Sequence, residues 1–487
     1  MTMAIPDRSA GGVEEPLLGG LLLAGESDAT LVERIVGWLR RRMDERLLRS
    51  GNRLPSIRQF ADRYGVSRFT VVEAYERLVA QGYLESRRGS GFYVRERRAL
   101  TAPPGADPTP PTLDVVWLVR AMFQDLPPER MPGSGLLPPD WLDSTLIGRG
   151  VRAVTRGGAA PLLGYGEPQG YLPLRGQLQV KLAEIEIAAA PGQLVLTAGV
   201  TQAIDIIARQ FLRPGDVVLV DDPGWFLMFG MFAALGARPV GVPRLADGPD
   251  LAVLEQLLQE HRPPLYVITS VLHNPTGASL TAAKAFQVLR LAEQYGVTVV
   301  EDDIYADFCE APAMRLAALD QLHRVIYVGS FSKTVAANLR VGFIACEREL
   351  ARELADRKLL AALTTPELGE RVIHQILVEG HYRKHLERLR ARLAARREPV
   401  LAQLERLGLR VFTDPQGGMF VWMDAGCDSN VLAARAYEQR LLLAPGSLFS
   451  PNQLPSSWLR FNLASSSHPD LLRFLERALD HDPGGRL

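Results

Sequence analysis

From Leu113 onward, short runs of pure Val, Ile and Leu alternate with helix-like periods, and this alternation constrains the fold more than any other feature. Gln193–Thr197, Val217–Val220, Leu265–Thr269, Val297–Asp302 and Val325–Val328 predict strands, while Thr201–Phe211 and Ala282–Tyr295 predict helices. A strand that is apolar at every position, rather than at every second one, is covered on both faces. The expected class is therefore α/β, a mostly parallel sheet with helices on both sides. Ligands of such sheets sit beyond the carboxyl ends of the strands.

The chemistry-bearing residues fall at those ends. Lys333 is one of five lysines against fifty arginines and follows the strand Val325–Val328 through Gly329-Ser330-Phe331-Ser332. The other four (Lys181, Lys284, Lys358, Lys384) lie in runs that read as exposed helix faces. Small residues and free N–H groups at such a turn suit an anion. A partly desolvated lysine near Arg340 has a lowered pKa and can form a Schiff base. An anionic aldehyde such as pyridoxal phosphate satisfies both conditions. Gly199, Val200 and Thr201 open a helix after Leu194–Thr197, which is a seat for phosphate. Trp225, after Asp221-Asp222-Pro223-Gly224, offers a flat ring for stacking. Asn274, in His273-Asn274-Pro275-Thr276-Gly277, can hydrogen-bond a phenolic oxygen. Asp302 ends an apolar strand with Tyr305 three residues on, and a carboxylate beside a pyridine nitrogen keeps that nitrogen protonated. Each has an ordinary reading as turn, cap or core residue, and the series carries the assignment.

The first hundred residues follow another logic. The net charge of zero conceals +7 between Asp28 and Arg98. Leu31–Leu48 reads as an amphipathic helix. Ser56 caps a short helix Ile57–Tyr64, Gly65-Val66-Ser67 makes a tight turn, and Arg68–Gln81 forms a second helix with Val71, Val72, Tyr75, Leu78 and Val79 inward. That is a helix-turn-helix whose second helix opens with Arg68 and Thr70. Tyr83–Ser86 and Phe92–Val94 flank Arg87-Arg88-Gly89-Ser90-Gly91 as a basic hairpin, a wing. A basic module on an otherwise acidic chain points to nucleic acid.

Arg53-Leu54-Pro55-Ser56-Ile57-Arg58, Gly65-Val66-Ser67-Arg68, Thr70-Val71, Gly82-Tyr83-Leu84 and Gly89-Ser90-Gly91 resemble the winged helix of the GntR family of bacterial regulators. The resemblance implies DNA contacts at Arg58, Ser67, Arg68, Thr70, Gly89 and Gly91. Phe92-Tyr93 stands where that family more usually has Thr followed by an aromatic residue. Residues from about 115 to 480 resemble the fold-type I, class I aminotransferases through Asn-Pro-x-Gly, Asp-x-x-Tyr, Ser-x-x-Lys and a late Arg-x-Asn in series. That resemblance implies a pyridoxal 5′-phosphate transferase fold with a small α+β subdomain. In it Lys333 carries the Schiff base, Asp302 pairs with the pyridine nitrogen, and Asn274 and Tyr305 hold the 3′-oxygen. Trp225 stacks on the ring, while Gly199, Val200, Thr201, Ser330, Ser332 and Arg340 surround the phosphate. Tyr165, in Gly164-Tyr165-Gly166, would reach the phosphate of a neighbouring subunit, so a homodimer with shared sites is expected. Arg460, in Leu459-Arg460-Phe461-Asn462, would grip an α-carboxylate. The fusion resembles the MocR subfamily of transcriptional regulators.

The expected organisation is a flexible tail over 1–26, a winged helix over 27–95, a proline-rich linker over 96–116 and a cofactor-binding, dimerising domain over 117–484. Expected partners are double-stranded operator DNA and an amino compound, or the cofactor itself, as effector. No run suits a membrane span, the N-terminus lacks the order of a signal peptide, and Cys309, Cys346 and Cys427 form no metal-ligand spacing. A cytoplasmic location is expected. A working aminotransferase with an appended DNA-binding domain remains the alternative.

Overall fold

A computed structural model describes residues 29–45, 47–95, 115–123, 126–158, 162–310 and 313–480. The expected tail 1–26 and nearly all of the expected linker lie outside these residues. The chain divides into a smaller unit, Met1–Pro110, and a larger one, Pro111–Leu487.

The smaller unit has three helices, α1 (Leu31–Asp44), α2 (Ile57–Tyr64) and α3 (Arg68–Ala80), followed by β1 (Leu84–Arg87) and β2 (Gly91–Val94). Local chemistry fixes the helix starts. Thr30 and Glu33 form a reciprocal capping box on α1, Ser56 and Gln59 another on α2, and Ser67 accepts from the Thr70 N–H on α3. Gly65, at φ +64°, closes α2 in the left-handed conformation that the tight turn requires. The first helix ends at Asp44 rather than Leu48. The chain turns there so that Gly51 N and Leu54 N can donate to Val94 O and Phe92 O, which adds an edge to the wing. The inward face of α3 is Val71, Ala74, Tyr75 and Leu78. Val72 and Val79 lie one step off this spacing and are half-buried, so Ala74 takes the place expected for Val72. Tyr75 is the hub. It packs edge-on to Phe60 and Phe92, and its hydroxyl donates to Pro55 O at 3.0 Å.

The larger unit is built on an eight-stranded sheet. Its strands are β3 (Leu194–Thr197), β4 (Val217–Asp222), β5 (Arg238–Leu245), β6 (Gly248–Pro249), β7 (Leu265–Ile268), β8 (Thr298–Asp302), β9 (Val325–Ser330) and β10 (Gly342–Ala345), in the order β3-β10-β9-β8-β7-β4-β5-β6. The pairs from β9 to β5 are parallel, and β10 runs antiparallel between β9 and β3. Successive residues of one strand go to opposite cores. Leu219, Tyr266, Val299 and Val325 join one cluster, and Val218, Val220, Leu265, Val267 and Val300 join the other. This division is why those strands read as unbroken apolar runs.

A smaller antiparallel sheet, β11 (Arg410–Val411), β12 (Phe420–Asp424), β13 (Ala444–Pro445) and β14 (Trp458–Asn462), is ordered β11-β12-β14-β13. It shares its core with the helices His381–Arg406, Ser429–Glu438 and Pro469–Asp480. Three lysines depart from expectation: Lys181 and Lys284 are half-buried, donating to Asp307 and to Pro249 O, and the third departs furthest. Lys358 is fully buried rather than exposed, and its ammonium donates to Leu196 O at 2.8 Å. Burial lowers its pKa to about 8, against the pull of Glu370. The helix Arg348–Ala362 packs on β3, so a position that reads as solvent-facing meets a strand carbonyl instead.

Truncating the hub of the small core should unfold it. Tyr75→Ala is expected to cost ~3–5 kcal/mol, much of the ~5–15 kcal/mol that holds a domain together. Calorimetry should show loss of the smaller unit's transition with that of the larger unit retained.

Candidate functional site

A cavity of about 520 Å³ opens at the carboxyl ends of β3, β4, β7, β8 and β9. At the end of β3, Gly199 has φ +84°, and the helix Val200–Phe211 starts behind it, so Val200 and Thr201 line the cavity. A Cβ on Gly199 would lie 2.8 Å from Arg340 Nη2, and the same guanidinium donates to Ala198 O at 2.6 Å. A helix N-terminus and an arginine thus converge on one corner, which is an anion seat. Ser330 does not face it. The Ser330 hydroxyl donates to Val341 O at 2.9 Å and accepts the Ser332 N–H at 3.1 Å, while Ser332 lines the cavity.

Three neighbouring acids at the end of β8 separate by strand alternation. Glu301 accepts the N–H groups of Leu316 and Ala317, and Asp303 accepts from Arg315 Nε at 2.7 Å and Tyr327 Oη at 2.6 Å. Only Asp302 reaches the cavity. It accepts the Ile304 N–H at 3.2 Å, and burial pushes its pKa up to about 7, with Asp303 adding to the rise and Lys333 opposing it. Such a carboxyl gains from a cationic ring nitrogen beside it. Asp221 and Asp222 show the same division at β4. Asp221 is buried away from the cavity, holding Tyr266 Oη, Thr269 N and Arg244 Nη1, and Asp222 accepts from Ser450 Oγ. The next aromatic, Trp225, is half-buried on the cavity wall.

Lys333 Nζ donates to Gly135 O at 2.8 Å and lies 5.7 Å from the centre of the Tyr305 ring. Burial lowers its pKa to about 8, and Arg460 and Arg340 lower it further against Asp302. Half of such lysines are neutral, and therefore nucleophilic, near pH 8. Tyr305 is buried against Phe420, and burial raises its phenol. Asn274 follows β7 in a turn closed by Gly277 N donating to His273 O; the Asp222–Pro223 and Asn274–Pro275 peptides are cis.

Arg460 comes from β14 of the smaller sheet and is fully buried. Its Nη1 donates to Asn274 Oδ1 at 2.8 Å and its Nη2 to Gly133 O at 2.6 Å, between the rings of Phe420 and Phe449. Its Nε has no partner among the described residues, and burial lowers its pKa to about 10. The residue as a whole lines the cavity.

Of the expected site residues, Val200, Thr201, Trp225, Asn274, Asp302, Tyr305, Ser332, Lys333, Arg340 and Arg460 line this single cavity. Gly199 stands behind it, and Tyr165 lies elsewhere, 82% exposed. Sequence reasoning missed the outer wall formed by Val119, Met122, Phe123 and Leu136. Its only trace is the apolar run at Leu113–Phe123. The donor set fits pyridoxal phosphate: a nucleophilic amine, an anion seat, a buried carboxyl and a flat ring around a space of that size. Among the described residues no group of side chains suits a metal ion, and no helix is long and apolar enough to cross a membrane.

On the smaller unit, Arg58 and Arg68 are exposed, and Arg58 lies 3.7 Å from Asp62. Ser67 and Thr70 hydroxyls are 2.7 Å apart, engaged in the cap of α3. Gly89 and Gly91 take φ of +74° and +106° in the wing. Arg87 Nε donates to Glu85 at 2.7 Å and stacks on Tyr93, whereas Arg88 is exposed beside it.

Comparison with known proteins matches this division. Residues 144–477 match the family aminotransferase class I and II, and residues 31–94 match bacterial regulatory proteins of the gntR family. The HTH-type transcriptional regulator YisV of Bacillus subtilis is 28% identical over 432 residues, covering 85% of this chain and 88% of that protein. The 2-aminoadipate transaminase of Thermus thermophilus is 34% identical over 333 residues, covering 65% of this chain and 81% of that protein. The crystal structure of the α-aminoadipate aminotransferase LysN from Thermus thermophilus, complexed with N-(5′-phosphopyridoxyl)-L-leucine, is similar with a TM-score of 0.69 at 30% identity, covering 74% of this chain and 94% of that one. The chain belongs to the aminotransferase class I and II family, fused to a gntR-family helix-turn-helix domain in the arrangement of the MocR-type transcriptional regulators.

Proposed function

We propose that this protein is a DNA-binding transcriptional regulator whose larger unit holds pyridoxal phosphate at Lys333 and senses an amino compound there. The observation that carries the reading is the convergence of Lys333, Asp302, Asn274, Tyr305, Trp225 and Arg340 on one cavity, in a chain that also carries a complete winged helix. When bound, the cofactor supplies an aldehyde that exchanges one amine for another and a ring that accepts electrons.

The chain's own residues do the rest. Arg340 and the N–H groups at Val200 and Thr201 anchor the phosphate, Asp302 holds the ring nitrogen protonated, and Asn274 and Tyr305 orient the phenolic oxygen. Trp225 excludes water from one ring face. Arg460, a cation on the cavity wall, offers its guanidinium to a ligand carboxylate. Val119, Met122, Phe123, Leu136, Phe226 and Leu227 make most of the remaining wall apolar, with Thr269 and Asn338 its polar members, and suit an effector with an uncharged side chain. Val119, Met122 and Phe123 belong to or directly follow the helix Val115–Met122, the first described element after the segment that joins the winged helix. That helix is the part of the cavity wall nearest in sequence to the DNA reader. A coupling of ~1–3 kcal/mol alters DNA affinity about 5–150-fold. Exposed Tyr165, with Leu163 and Leu360 each 86% exposed, supports a homodimer in which Tyr165 reaches the partner's phosphate.

Aminotransferase turnover is a second reading, favoured by Lys333, which with its pKa near 8 can carry a proton to and from a substrate carbon. Steady-state assays with paired amino and keto acids separate the two: a regulator turns over slowly or not at all and still changes its DNA affinity with the amine.

Three outcomes test the regulator. Purified protein should be yellow with bound cofactor, and Lys333→Ala should abolish the visible band while Lys384→Ala retains it. The neutral amine attacks the aldehyde, so apoprotein should take up the cofactor faster as pH rises, levelling above about 8 rather than near the 10.5 of an ordinary lysine. Rapid-mixing absorbance across pH reads this midpoint. DNA affinity should fall ~10³–10⁵-fold between 50 and 200 mM salt for ~6–10 neutralised phosphates, and Arg68→Ala should weaken specific binding in mobility shifts.

A further inference from the structure

The first turn of α3 presents an aromatic ring to solvent. Phe69 is 77% exposed, whereas the unit's other two phenylalanines, Phe60 and Phe92, pack around Tyr75. An exposed ring of this size costs solubility and gives the fold nothing. Its position gives it a use. Helical spacing places Phe69, Val72, Glu73 and Glu76 on the face opposite Val71, Ala74, Tyr75 and Leu78, which fill the core. The polar side chains of the same turn are already engaged, because the Ser67 and Thr70 hydroxyls bond each other at 2.7 Å and Ser67 also accepts Thr70 N–H at 3.0 Å. Glu73 holds Arg77 at 2.7 Å. Arg68 and Phe69 are therefore the long side chains free to project from the start of the helix.

We propose that Phe69 is a specificity-determining residue that reads the C5-methyl group of a thymine in the major groove. The inference rests on the DNA-binding reading of the smaller unit. Residues at the start of a helix-turn-helix recognition helix meet base edges, and among the four bases only thymine shows a methyl group there. A phenyl ring has no hydrogen-bonding group, so it discriminates by apolar contact alone. Arg68, exposed beside Phe69 in the same first turn, supplies a cation for the phosphate backbone there, and Glu73 is neutralised by Arg77. The ligand is thus a half-site with a thymine at the position under the first turn of α3, and Arg68 positions the helix on the adjoining backbone or guanine.

The test uses the full-length protein with cofactor supplied. Duplexes are selected from a random pool, and each thymine in the selected half-site is then replaced in turn by deoxyuridine, which lacks only the methyl group. Wild type should lose about fourfold in affinity at one thymine per half-site, the ~0.8 kcal/mol of one buried methyl. Phe69→Ala should bind that site more weakly, with the same salt slope, and should not distinguish thymine from deoxyuridine. Phe69→Leu should restore part of the discrimination. Indifference of wild type to every deoxyuridine, or equal discrimination by Phe69→Ala, overturns the inference and leaves the regulator reading standing. A change in oligomeric state in Phe69→Ala with methyl discrimination unchanged also overturns it, because the ring would then serve a protein contact. Failure to select any sequence overturns both.

Discussion

Buried charge out of balance is the constraint on which the larger unit depends. Lys333 and Arg460 face one cavity with Arg340 at its edge, and among the described residues the acid that lines it with them is Asp302, whose own pKa is pushed up to about 7. Cations taken out of water cost several kcal/mol apiece unless opposite charge or dipoles replace the solvent. Here the replacement is partial: backbone carbonyls of Gly133 and Gly135, the Asn274 amide and two aromatic faces. The deficit appears as lowered pKa values of Lys333 and Arg460 and an orphaned Nε. An anionic ligand corrects that deficit, and the correction is binding energy.

The sheet makes this arrangement possible. Parallel strands that are apolar on both faces deliver every side chain beyond their carboxyl ends to one edge of a rigid layer. Strand alternation then sorts adjacent acids. Asp302 faces the cavity, while Glu301 and Asp303 are spent on backbone N–H groups and on Arg315 and Tyr327. The smaller sheet contributes Arg460 and Phe420, which flanks it, and fixes the guanidinium against Asn274, which follows a strand of the larger one.

Much of this was legible in residue order because the chemistry sits in contiguous motifs. Lys333, Asp302 and Asn274 each follow a strand-like run, so their placement follows from periodicity alone. What escaped depends on contacts between segments distant in sequence. Lys358 reads as a surface lysine because its meeting with Leu196 O is set by helix-on-sheet packing, 162 residues away in the chain. Ser330 reads as an anion ligand because a hydroxyl's rotamer, here turned to Val341 O, leaves no mark on sequence. The wall at Val119, Met122 and Phe123 has the same composition as any core helix. Ala74 rather than Val72 faces inward because the helical angle, not hydrophobicity, decides which residue meets the core.

The carbonyl groups of Gly133 and Gly135 have a consequence beyond geometry. They occupy the two cations in the way a guest's own oxygens would, so the segment from Met131 to Leu137 is a built-in competitor that any guest must dislodge. A stretch of glycine-rich main chain, bearing no reactive group, thereby bears on how tightly a guest is held. Lengthening or stiffening it would retune that grip, and would carry Leu136 of the cavity wall with it.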